Sequence, residues 1–331
     1  MRIRHIIGSV ATALVVLSAA SPVAAAASTE HGQPVPMAFT RSGDVWLSTG
    51  TETVKVTLDG DNAWPRISPN HRELAYVHDG DIFVSDISHI QSVFPSDQLT
   101  NQHDAGGPSW SPDGSYLAYR TGDAHRGTLV LLRLHSASAA LHAALGPRLA
   151  ASAARVPQTV ARFTRPATAE ATVAPPLSPL RNASTVAWSP DGKSIAFPDG
   201  DCLTTYVDCL TVLKLSTNVE QTVASFGTDS EIVGFATTPA WSLDSKRLFW
   251  TQQKQIASTG LPGPLQVIGY NVSAHNTWQV GRNGDSTPVF VRDGKFLVTS
   301  PVSGVDWVTL IKSTGSRVSL IPGDQADWRS A

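Results

Sequence analysis

The segment Pro108-Ser109-Trp110-Ser111-Pro112-Asp113-Gly114 recurs as Val186-Ala187-Trp188-Ser189-Pro190-Asp191-Gly192. It then decays through Pro239-Ala240-Trp241-Ser242-Leu243-Asp244, Pro288-Val289-Phe290-Val291-Arg292-Asp293-Gly294 and Pro65-Arg66-Ile67-Ser68-Pro69-Asn70. A unit repeated every few dozen residues cannot bury its own apolar face and has to stack on copies of itself, as solenoids, propellers and arrays do.

Each copy reads as a short strand ending on an aromatic residue or Ile, a Ser-Pro-Asp-Gly-type turn, and a second strand. In the turn Pro sets a negative φ, Asp or Asn bonds nearby backbone and Gly takes the exit. The second strands are Leu74-Ala75-Tyr76, Tyr116 to Tyr119, Ile195-Ala196-Phe197, Leu248-Phe249-Trp250 and Phe296-Leu297-Val298, runs suited to buried strands. Third strands follow at Asp81 to Val84, Thr128 to Leu132 and Leu210 to Leu213, and fourth strands at Gln221 to Val223 and Arg317 to Leu320. Four antiparallel strands per unit make one propeller blade.

The anchor residues count the blades. Ile67 and Trp110 are 43 apart, Trp188 and Trp241 53, Trp241 and Phe290 49, Phe290 and Trp328 38. Trp110 and Trp188 are 78 apart, and residues 134–182, rich in Ala, Pro and Arg and without strand alternation, read as an insertion. Pro36 to Phe39 matches a second strand with no first strand before it, whereas Ala326 to Ser330 matches a first strand after which the chain stops. The C-terminal strand is therefore expected to complete the N-terminal blade, giving an all-β, six-bladed β-propeller over residues 36–331 without long exposed sheet edges.

These repeats, above all Trp110-Ser111-Pro112-Asp113-Gly114 and Trp188-Ser189-Pro190-Asp191-Gly192 with the Ala-aromatic strand after each, resemble the TolB-like six-bladed propellers built from WD-like repeats. The resemblance implies a rigid scaffold in the cell envelope or outside it that binds other macromolecules. The same repeat forms the non-catalytic propeller of prolyl-oligopeptidase-type peptidases. The shared motif maintains blades rather than a site, so no family residue carries over.

Residues 1–27 combine a basic start (Arg2, Arg4), an apolar stretch from Ile6 to Ala20 and Ala25-Ala26-Ala27 before Ser28, the pattern of a cleaved secretory signal peptide. The apolar stretch falls short of the ~20 residues that span a bilayer. A short tail, 28–35, precedes the propeller. Cleavage removes two Arg and no acid, taking the formal net charge from -2 to -4. So mild a balance gives no support to nucleic-acid binding, which needs a clustered basic surface. The two cysteines, Cys202 and Cys209, fall between the second and third strands of one blade, and in an exported chain this pair is expected to form a disulfide.

Catalytic motifs are not found: Gly-x-Ser-x-Gly and His-Glu-x-x-His are missing, and the histidines are scattered singly. Asp59-Gly60-Asp61-Asn62 and Asp79-Gly80-Asp81 read as turns before they read as calcium ligands. No cofactor, metal or catalytic residue is expected. The loops leading from each fourth strand into the next blade carry Asp61, Asp104, Asp229, Asp285 and Asp324, together with Asp59, Glu231 and Asp327, against few bases, chiefly Arg282 and His103. Converging at one mouth of the channel, they would attract a cationic partner. The insertion is the counterpart, with Arg148, Arg155, Arg162, Arg165 and Arg181 against Glu170. The expected function is a non-enzymatic exported scaffold that binds an envelope or extracellular protein. The alternatives are a propeller hydrolase or lyase acting on a sugar or lactone, and a glycan-binding module, which would need exposed aromatics on one face, where the sequence alone does not place Trp64 or Trp278.

Overall fold

The computed structural model describes residues 36–90, 94–122, 126–134, 158–164, 185–198, 206–227, 234–256 and 258–329. They form six four-stranded antiparallel sheets, the blades of a ring. Blade 1 holds β1 (Met37–Arg41), β2 (Asp44–Ser48) and β3 (Thr53–Lys55). Blade 2 holds β4 (Asn62–Ile67), β5 (Glu73–His78), β6 (Asp81–Asp86) and β7 (Ser96–Gln98). Blade 3 holds β8 (Ser109–Trp110), β9 (Tyr116–Gly122), β10 (Arg126–Arg133) and β11 (Gln158–Thr164). Blade 4 follows with β12 (Ala187–Trp188), β13 (Ser194–Pro198), β14 (Tyr206–Lys214) and β15 (Val219–Gly227), and blade 5 with β16 (Gly234–Trp241), β17 (Arg247–Gln255), β18 (Pro262–Asn271) and β19 (Asn276–Val280). Blade 6 holds β20 (Ser286–Phe290), β21 (Phe296–Val302), β22 (Val305–Ile311) and β23 (Arg317–Pro322), and β24 (Asp324–Trp328) returns to blade 1.

The ring closes as the repeat boundaries require. β24 pairs antiparallel with β1, Met37 opposite Trp328 and Ala38 opposite Asp327, and so supplies the inner strand that blade 1 lacks. One reading is corrected: residues 134–182 are not strandless, because β11 lies within them and pairs with β10 as the outer strand of blade 3. An outermost strand bonds one neighbour only, so it needs no continuous apolar run, and Gln158–Thr164 carries too little alternation to stand out from its Ala-rich surroundings. Residues 135–157 and 165–182, the signal-peptide residues and Cys202 lie outside the described residues.

The Ser-Pro-Asp-Gly turn explains its own recurrence. Ser111 Oγ donates to Asp113 Oδ1 (2.9 Å) and accepts from Tyr116 N (2.9 Å), while Asp113 Oδ1 accepts from Ser115 N (3.0 Å). Ser189 with Asp191, Ser242 with Asp244 and Ser68 with Asn70 repeat this arrangement, so one hydroxyl and one side-chain oxygen satisfy the turn backbone in four blades. The residue after the Asp or Asn is left-handed, with φ of 74° at Gly114, 75° at Gly192, 59° at His71 and 57° at Ser245. Blade 6 has Val291 in place of Ser and keeps only the backbone closure, Val291 N to Lys295 O at 2.9 Å.

Six apolar clusters fill the six junctions between consecutive blades, and in each the anchor of one blade packs on the sheet before it. Ile67 packs on blade 1, Trp110 on blade 2, Trp188 on blade 3, Trp241 on blade 4, Phe290 on blade 5 and Trp328 on blade 6. The junction of blades 6 and 1, where Trp328, Met37 and Phe39 meet Val291, Leu297 and Leu310, is as buried as the others.

Candidate functional site: the central channel

The inner strands β4, β8, β12, β16, β20 and β24 surround the axis. Three residues before each anchor, four of them carry a β-bulge with a left-handed residue: Trp64 (φ 55°), Thr238 (52°), Thr287 (48°) and Gln325 (49°). A bulge frees an N–H from the ladder, and side chains of the preceding blade accept it. Trp64 N donates to Gln325 Oε1 (2.8 Å), Gln325 N to Thr299 Oγ1 (3.2 Å) and Thr287 N to Thr251 Oγ1 (2.8 Å). A positive φ at a residue as bulky as Trp is a true outlier, and such strain marks a position held by its surroundings for a reason.

At Trp64 the bulge turns the indole toward the axis of the ring. The indole is buried and packs with Ala63, Val77 and Leu265. Leu265 belongs to blade 5, which stands opposite blade 2, so this contact spans the axis. Room comes from Gly107, the corresponding position of blade 3, where a Cβ would stand 2.8 Å from Trp64 Cγ and 2.7 Å from Thr185 Cγ2. The indole therefore narrows the channel at the end next to the inter-blade loops.

The opposite end, at the Ser-Pro-Asp-Gly turns, is open. A cavity of about 260 Å³ lies there. Its wall is the residue before each anchor, in ring order Asp327, Arg66, Ser109, Ala187, Ala240 and Val289, and its rim is Pro69, Pro112, Pro190 and Leu243 from the turns. Arg329 joins the wall beside Arg66 and donates from Nε to Ile67 O (3.2 Å). Two wall side chains also tie blades together: Asp327 Oδ2 accepts from Ile67 N (2.8 Å) and Ser109 Oγ from Trp188 N (2.9 Å). Trp110 Nε1 and Trp241 Nε1 donate to Arg66 O (2.9 Å) and Ala187 O (3.0 Å), but Trp328 Nε1, also in the lining, has no partner.

Arg66 is half-buried and lines the cavity. Burial pushes the guanidinium pKa down, the Asp327 carboxylate works against this and Arg329 adds to it. The hydrogen bond recorded for its five N–H donors is Nη1 to Pro65 O, at 2.8 Å.

The acidic residues picked out by the sequence separate into three groups. Asp61 and Asp104 are exposed at the loop end, and Asp104 Oδ2 accepts from Gly122 N (3.1 Å). Asp285 is buried at 2 % side-chain exposure and accepts from Arg317 Nη1 (2.8 Å) and Nη2 (2.7 Å), Ser300 Oγ (2.6 Å) and Arg282 N (2.9 Å). Asp324 bonds Thr40, and its carboxyl pKa is raised by burial, lowered by that bond and raised again by Asp306. Asp229 and Glu231 lie outside the described residues. Asp59-Gly60-Asp61 and Asp79-Gly80 are turns, with positive φ at Gly60, Asp61, Asp79 and Gly80. Cys209 is buried on β14 with Sγ 3.6 Å from Thr211 Oγ1. Trp278 stands singly on outer strand β19, 37 % exposed. Trp64, raised from sequence only as an aromatic for glycan contact, is buried, and the turn prolines were read there as turn formers alone; Arg66 and Arg329 were not singled out, and their signal is position within the repeat, one residue before and one after an anchor.

No family model matches the sequence, and no curated protein matches it. Among solved structures, a putative TolB from Agrobacterium tumefaciens aligns over 83% of this chain and 87% of its own with a TM-score of 0.53 at 16% identity. TolB from Acinetobacter baumannii aligns over 87% and 69% with a TM-score of 0.49 at 17% identity. A puromycin-hydrolyzing peptidase of Mycobacterium tuberculosis aligns over 85% of this chain and 42% of its own, TM-score 0.49 and 11% identity. With the six closed blades and the self-bonded turns, the likeness to the Agrobacterium tumefaciens structure identifies the fold as a TolB-like six-bladed β-propeller.

Proposed function

We propose that this protein is an exported, non-enzymatic scaffold that captures a segment of an envelope or extracellular protein at the turn-side mouth of its channel. The observation that carries the reading is the turn-side cavity, walled by the inner strands of six blades and rimmed by Pro69, Pro112, Pro190 and Leu243. Proline rings and buried indoles lose little conformational freedom when a partner docks, so contact there is not offset by ordering costs. A volume of about 260 Å³ lies below the ~300–1,000 Å³ of sites that engulf a drug-sized ligand and suits a few residues of chain. Its lining among the described residues has one carboxylate, Asp327, and no histidine, which supports binding over general acid–base chemistry. Export rests on the signal-peptide pattern of residues 1–27, and no helix among the described residues is long and apolar enough to cross a membrane.

The test is capture of native envelope protein by the mature chain and by Ala240→Trp, which fills the cavity from its wall, and Leu243→Arg, which charges the rim. Loss of the captured protein in both variants, with melting temperatures close to the parent's, is the expected result. Capture that is the same in all three would remove the turn-side mouth as the site.

A further inference from the structure

We propose that the turn-side cavity is a carboxylate site, taking the C-terminal end of a partner chain with its terminal carboxylate on the Arg66 guanidinium and its last apolar side chains among the Trp and Pro residues of the rim. The inference deepens the reading of the turn-side mouth and rests on it.

Three observations lead there. First, Arg66 sits in the wall beside the cavity with one hydrogen bond, to Pro65 O, for five donors, whereas the half-buried guanidinium of Arg317 is matched by Asp285 and Ser300. An Arg fork presented to a confined cavity fits the two oxygens of a carboxylate. Second, the local charge is positive. Asp327 is the single acid in the lining, already accepts from Ile67 N, and faces both Arg66 and Arg329. Third, the Trp64 indole packs in one cluster with Leu265 of the opposite blade, across the axis below the cavity. So bulky an obstruction favours a chain that ends in the cavity over one that threads the ring.

The probes are N-acetyl-Leu-Leu with a free C-terminal carboxylate, the same dipeptide as its carboxamide, and N-acetyl-Leu-Glu carboxamide, titrated into the mature chain by calorimetry and by quenching of tryptophan fluorescence. The free acid is expected to bind at least about tenfold more tightly than its amide, a charge-assisted pair replacing a neutral contact. Arg66→Gln should erase that preference, Arg66→Lys should keep part of it, and Asp327→Asn should strengthen it several-fold by removing the competing charge while leaving an oxygen for Ile67 N. Melting curves confirm that each variant is folded. Equal binding of acid and amide, no binding of either, or a preference that survives Arg66→Gln overturns the carboxylate assignment. The Leu-Glu amide binding as tightly as the free acid overturns the chain-end assignment. None of these results touches the rim variants above, so failure of the carboxylate site and failure of the mouth are told apart.

Discussion

Asp285→Asn tests whether this carboxylate belongs to the fold or to a binding surface. Asp285 lies at the start of blade 6 with 2 % of its side chain exposed, opposite Arg317 at 17 %. It accepts four hydrogen bonds, two of them from the guanidinium. The Asn side chain keeps one acceptor oxygen and leaves Arg317 buried without a counter-charge. Removing one partner of a buried ion pair costs about 3–5 kcal/mol, and in a chain of this length that lowers the melting temperature by on the order of 10 °C. Thermal and urea unfolding of Asp285→Asn, Arg317→Met and the double variant should show two large single losses and a double loss well below their sum, because the second substitution removes the stranded charge. Single variants within a degree of the parent would refute the reasoning and return Asp285 to the pool of solvent-facing acids.

Other consequences follow from closure, chemistry and charge. Deleting residues 324–331 removes the inner strand of blade 1 and the Trp328 contact with blade 6, so calorimetry should show a melting temperature lower by more than about 10 °C; an unchanged curve would contradict closure. Cys202 and Cys209 should form a disulfide in the exported chain, worth about 2–3 kcal/mol for so short a loop, and mass spectrometry of the unreduced protein that found both thiols open to alkylation would exclude it. Burial raises the Asp324 carboxyl, so the folded state binds its proton more tightly than the unfolded one. That contribution is complete below the unfolded pKa, about 4, and is lost as pH rises through the folded value. Asp324→Asn should therefore flatten the decline of melting temperature above pH 4, and a profile parallel to the parent's would show that Asp324 is not the group responsible.

Blade number, ring closure and the turn chemistry were legible because each is written several times. Ser111 and Ser189 recur with the same partners, and a defect in one copy, such as Val291, is read against the others. β11 was not legible, since an outer strand bonded on one side places weak demands on its sequence. The site was harder still. Asp285 and Asp61 look alike in a loop, and only the strand register, which brings Arg317 to one and solvent to the other, separates them. The packing of Trp64 across the axis needs three distant facts together: a bulge in β4, a glycine at 107 and a leucine from the opposite blade. Arg66 precedes its anchor like Ser109 and Ala187, and its meaning appears only when six such positions close around one axis.

The central claim is that the molecule works from its turn face. The most direct measurement is site-specific photo-crosslinking in the native envelope, with the reactive group placed in turn at Leu243 and Pro190 on the turn face and at Asp61 and Asp104 on the loop face. One crosslinked protein is expected at both turn-face positions, absent from the loop-face positions and lost when Ala240→Trp fills the cavity. Crosslinks to a common protein from Asp61 and Asp104, with none from Leu243 and Pro190, would contradict it.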